Sequence, residues 1–156
     1  MRKEDVSAEV SGLAFDFFYW FSRFEFALKE NGYLKSHSPG DLAEPGWREF
    51  AAKWHSSYVP SEEAAFLMNS PPERQIVGPG NQLDWRPVNL GDCKSDLACV
   101  VRLVTTVRNN LFHGGKHGGA GWDSSERTRD LLISGRDVLG QLAELASIQS
   151  DYLQYY

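Results

Sequence analysis

The sequence predicts an all-α protein, a bundle of four to five helices with one long Pro/Gly-rich loop. Three stretches carry that expectation. Residues 6–31 place Phe17, Phe21, Phe24 and Leu28 on one helical stripe. Residues 95–113 repeat Val100, Val104, Val107 and Leu111 at helical spacing, with Leu97 and Val101 widening the stripe. Towards the end, Leu132, Leu139, Ala146 and Leu153 recur every seven residues.

The first helix is aromatic on several sides. Phe15, Phe18, Trp20 and Phe26 fall away from the main stripe, so it needs more than one packing partner or a subunit interface. Asn31-Gly32 ends it, because glycine enters left-handed backbone angles without a Cβ clash. Residues 36–46 form a loop. A shorter helix follows over Trp47–Ser57, and Ser61 caps another through Met68. Residues 69–94, with Pro71, Pro72, Pro79 and Pro87, exclude a long helix and are expected to wrap the bundle, anchored by Ile76 and Trp85. The last helix runs from Ser124 or Ser125 to about Leu153. Gly135 and Gly140 weaken it intrinsically, so close packing is expected at both.

The chain of 156 residues reads as one domain, 1–156. Met1 to Glu9 is polar and acidic rather than a secretory leader, and no run of about 18 apolar residues exists to span a membrane. Cys93 and Cys99 have no metal-ligand spacing and suggest free thiols in a reducing cytoplasm. The net charge of −5 argues against indiscriminate nucleic-acid binding. Yet residues 102–129 hold Arg102, Arg108, Lys116, Arg127 and Arg129 against Asp123 and Glu126, a basic zone suited to an anion.

The chemistry concentrates at the end of the helix over 95–113. Ser95 is its N-cap, and Asp96 complements the dipole. Arg108 lies within roughly 40° of Leu97, Val101 and Val104, where an aliphatic residue is expected. Such an arginine needs acceptors, and Glu25 is either its carboxylate partner or a solvated glutamate. His113 sits in the last turn, where the dipole favours an imidazolium, and Asn109 four residues earlier can orient the ring. Gly114 and Gly115 stop the helix. Lys116 and His117 can reach a phosphate beside His113, and Arg102 shares the His113 face. The glycines of Gly114 to Gly121 do not match a phosphate-binding P-loop, and His37 and His55 fall in surface positions. No HExxH, paired-cysteine or carboxylate cluster supports a metal, and no GxSxG elbow supports a serine nucleophile.

Arg108-Asn109-Asn110-Leu111-Phe112-His113, followed by Gly114-Gly115-Lys116, resembles the R-x4-H motif of the HEPN superfamily. The aromatic first helix, with its RFEFALK segment, is similar to that of certain HEPN families. The resemblance implies a HEPN-like bundle in which the Pro/Gly-rich loop precedes the motif helix. It also implies a metal-independent, cofactor-free ribonuclease of toxin–antitoxin or antiviral defence systems. Such proteins act as homodimers, and an antitoxin or defence partner is implied. HEPN toxins modified by a nucleotidyltransferase antitoxin carry a tyrosine two residues after the histidine; here Gly115 stands there.

In that reading Arg108 and His113 are catalytic with Asn109 beside them. Lys116, His117 and Arg102 hold RNA phosphate, and Glu25 supports Arg108. The 2′-hydroxyl of RNA is an internal nucleophile, so His113 moves the proton and Arg108 stabilises the phosphorane. The second proton carrier is either His113 of a partner subunit or His117. The alternative is a non-catalytic HEPN module that binds a nucleotide or a partner protein.

Overall fold

The computed structural model describes residues 7–113 and 125–154, with His113 and Ser125 described as helix backbone only. The described residues form six helices and one small sheet. In order they are α1 (Ala8–Glu30), α2 (Trp47–Trp54), α3 (Glu62–Asn69), β1 (Glu73–Val77), β2 (Leu83–Pro87), α4 (Asp96–His113), α5 (Ser125–Leu145) and α6 (Gln149–Leu153).

Serine caps set three of the helix starts. Ser7 Oγ accepts from the Val10 amide at 3.1 Å, Ser61 Oγ from Ala64 at 3.2 Å and Ser95 Oγ from Ala98 at 3.2 Å. Each bond satisfies one of the orphan amides of a first turn. Gly32 ends α1 at φ 76°, and the following Tyr33 amide reaches back to the Leu28 carbonyl at 2.9 Å. The two agree with the stop expected at Asn31-Gly32.

Helix α1 packs on α5, α6 and the end of α4, which accounts for its many-sided aromatic surface. Phe17, Phe24 and Leu28 from α1 meet Leu97, Leu103 and Val104 from α4 and Leu139 and Leu142 from α5, all fully buried. Each such side chain contributes roughly 1.5–3 kcal/mol by leaving water. Gly135 is where α5 comes nearest to α1: a Cβ there would stand 2.7 Å from Phe17 Cε2. Close packing at Gly140 is not found, since a Cβ there would meet nothing within 4 Å.

Three expectations need correction. The long loop contains a β-hairpin, so the chain is mostly helical rather than all-α. Strands β1 and β2 pair antiparallel, with Arg74 opposite Arg86 and Gln75 opposite Trp85, around a 3₁₀ turn at Pro79–Asn81. Proline is tolerated because Pro87 ends an edge strand and Pro79 lies in the turn. The helices number six rather than four to five, because the last one breaks. Ser147 takes a left-handed φ of 56°, and its amide closes on the Glu144 carbonyl at 3.0 Å. That turns α6 back across α1. Finally, α2 ends at Trp54 rather than Ser57.

Candidate functional site

The end of α4 brings together Arg108, Asn109, Asn110, Phe112 and the His113 backbone. Arg108 is half-buried, as its helical phase implies. Its guanidinium carbon lies 5.6 Å from the Phe21 ring centre and 5.3 Å from that of Phe112. Phe21, on α1, is buried, and Phe112 in turn leans on Phe18 at 5.1 Å. The arginine therefore occupies an aliphatic position because two aromatic faces receive its flat cation, worth roughly 0.5–1 kcal/mol each at such exposure.

Among the described residues one of its donors is spoken for. Arg108 Nη1 donates to Asn109 Oδ1 at 3.0 Å. Among the described residues no carboxylate comes within ion-pair distance of Arg108. The other arginines of α4 and α5 differ. Arg102 donates to Asp92 and to the Asn89 carbonyl, and Arg127 to the Ser70 carbonyl. Arg129 pairs with Glu9 at 3.1 Å and Arg136 with Asp137 at 2.8 Å. The described arginines of the basic zone are thus divided among separate contacts, with Arg108 left able to receive an incoming anion.

Glu25 is not the partner of Arg108. Its Oε1 accepts from Trp47 Nε1 at 3.0 Å. Helical phase placed the arginine on the inner face, but the part of α1 it meets is Phe18–Phe21, a full turn short of Glu25.

Arg102 does not join this end either. It stands eleven residues, roughly 16 Å, up the helix axis from His113. There it lines a groove of about 1050 Å³ between α2 and α4 with Trp47, Arg48, His55, Asp92 and Lys94. Its hydrogen bond holds the Asp92 carboxyl below the usual range. Cys99, buried beside this loop, donates to the Leu90 carbonyl at 3.8 Å, and burial followed by the neighbouring Cys93 thiol pushes it up to about 12. Both cysteines are free thiols. His55 is exposed, and His37 is an exposed loop residue whose Nε2 meets Glu49 Oε2 at 3.1 Å.

The side chain of His113, its contact with Asn109, the Gly114-Gly115 stop, Lys116 and His117 lie outside the described residues. Among the described residues no three of His, Cys, Asp and Glu come together as a metal site would need. One positioning residue escaped the sequence reading. Asn110 Nδ2 donates to the Glu73 carbonyl at 2.7 Å, fastening the hairpin to the motif end of α4. A half-buried asparagine inside an R-x4-H motif was the only signal, and its partner is 37 residues away.

Beside the site runs an exposed apolar strip. Phe15 is 66%, Phe18 41% and Tyr19 38% exposed on α1, and Phe112 52% on α4. No helix among the described residues is long and apolar enough to cross a membrane. Comparison with known proteins found no matching family model, curated protein or solved structure.

Proposed function

We propose that this chain is a HEPN-type, metal-independent endoribonuclease, a cytoplasmic toxin or antiviral defence effector that works as a homodimer. The observation that supports it best is Arg108. Its guanidinium is fixed between Phe21 and Phe112, and no described carboxylate neutralises it. A held, uncompensated guanidinium at a helix end suits a phosphorane better than a structural role, which would supply an acid.

The reaction follows from the motif. The ribose 2′-hydroxyl attacks its own phosphate in line, His113 carries a proton and Arg108 takes up the charge on the non-bridging oxygens. The 5′-oxygen leaves with a proton, giving a 2′,3′-cyclic phosphate and a 5′-hydroxyl. One imidazole does not serve comfortably as acid and base in the same step. The second comes from the partner subunit or from His117. The exposed strip of Phe15, Phe18, Tyr19 and Phe112 borders the site and supports a two-fold contact there.

The test is cleavage of a mixed-sequence RNA in EDTA, with fragment ends read by mass spectrometry. Wild type should cut RNA and leave DNA of the same sequence intact. Arg108→Ala and His113→Ala should each lose on the order of 10²-fold or more. Products bearing 5′-phosphates, or activity restored only by magnesium, would overturn the reading.

A further inference from the structure

The hairpin carries a pairing that works against its own stability. Arg74 and Arg86 are register partners on adjacent strands, so their side chains leave the same face with Cβ atoms about 5 Å apart. Like charges in direct opposition destabilise a strand pair, and a two-stranded sheet has little stability to spare. Both arginines are exposed.

The nearby acids do not neutralise them. Asp84, one rung along the same face, turns its Oδ1 back onto the Trp85 amide at 2.8 Å. Glu73 lies on the opposite face, across from Pro87. Asp92 senses Arg74 only weakly and accepts its hydrogen bond from Arg102. Among the described residues neither Arg74 nor Arg86 has a carboxylate within ion-pair distance.

The placement gives the pair a direction. Asn110 holds the Glu73 carbonyl, so Arg74 is one residue from the tie and Asn110 is two residues from Arg108. The doubled cation is thus tied through the Glu73 carbonyl to the motif end of α4.

We propose that Arg74 and Arg86 form a phosphate clamp that grips the RNA backbone beside the scissile position. The assignment rests on the endoribonuclease reading for its substrate. Two guanidinium forks on one face offer the paired N–H geometry that phosphate oxygens accept, and the bound phosphate relieves the repulsion between them. The clamp reads backbone and not bases, so it adds affinity without sequence preference.

The experiment measures binding apart from cleavage. A fluorescein-labelled single-stranded RNA with 2′-O-methyl riboses is bound but has no nucleophile for attack. Its anisotropy is titrated with full-length protein across a series of KCl concentrations. Arg74→Gln/Arg86→Gln should bind more weakly, and the slope of log affinity against log salt should shrink by about 1.4, for two phosphate contacts on a single strand. Arg48→Gln/Lys94→Gln, two exposed cations of the α2–α4 groove, should leave the slope unchanged. Thermal melts establish that each variant is folded. Cleavage of unmodified RNA by wild type is scored separately. Its absence alongside a clamp-dependent slope would remove the endoribonuclease reading and leave the clamp. A slope unchanged in Arg74→Gln/Arg86→Gln, an equal change in the groove variant, or no RNA binding by wild type would overturn the clamp.

Discussion

The two ends of α4 are built on opposite principles. At the N-terminal end the cap, the core leucine and the arginine are answered from within. Ser95 caps the first turn, Leu97 is fully buried, and Arg102 is held by Asp92 and the Asn89 carbonyl. At the C-terminal end, among the described residues, no carboxylate answers the cations. Arg108 is held by ring faces and by Asn109, Phe112 is half exposed, and the hairpin beyond Asn110 presents two facing arginines. One helix thus contributes stability at one end and unspent interaction capacity at the other. Stability and binding are therefore separable by substitution along a single element.

The largest effect expected from that division is at Leu97. Leu97→Ala empties a fully buried position and should cost about 2–5 kcal/mol in urea unfolding, with cleavage by the remaining folded protein unchanged. A loss under about 1 kcal/mol would mean that the N-terminal end is not the stabilising one.

Gly135→Ala tests the packing that steadies both ends. The new methyl would meet the buried Phe17 ring at 2.7 Å, so α5 and α1 must separate or the ring must turn. About 1–3 kcal/mol should be lost, whereas Gly140→Ala, in open space, should stabilise by up to about 1 kcal/mol through helix propensity. Equal melting temperatures for the two variants would contradict the placement.

Arg108→Ala should behave unlike a core substitution. Helical phase alone made it a partly buried arginine whose loss would cost about 1–3 kcal/mol of stability. Half-exposed and without a buried acid, it should cost no more than about 1 kcal/mol while cleavage falls steeply. Arg108→Lys should keep the charge but lose much of the activity, since an ammonium lacks the flat fork that lies between the rings.

How much of this was legible in the sequence depended on whether the signal was local. Caps at Ser61 and Ser95, the stop at Gly32 and the stripes of α1 and α4 rest on residues within a turn or two of one another, and these were read correctly. The hairpin was missed because its prolines and glycines masked two five-residue strands. The Gly-Pro-Gly-Asn turn between Ile76-Val77 and Leu83 was the available cue. The break at Ser147 has no glycine or proline to announce it, and the seven-residue repeat runs straight through. Glu25 and Arg102 stand away from the motif end for another reason. A helical wheel gives the direction a side chain leaves its own axis, not which turn of the neighbouring helix it meets.

The smallest effect concerns Arg102, and it bears on the comparison from the N-terminal side. If that end is structural, Arg102→Ala should leave RNA cleavage unchanged and lower the melting temperature slightly, because the pair is solvent-exposed and screened. Its pH dependence identifies the cause. Asp92 is depressed in the folded protein, chiefly by its hydrogen bond from Arg102. Its contribution is then complete above the ordinary carboxylate value of 3.8 and is lost as the pH falls through the lower folded value. The difference in melting temperature between wild type and Arg102→Ala should therefore stay constant from neutral pH down to about 5 and close at still lower pH. A difference that persists undiminished in strong acid would assign the effect of Arg102 to its bond with the Asn89 carbonyl, and the Asp92 pairing would carry no stability at this end of α4.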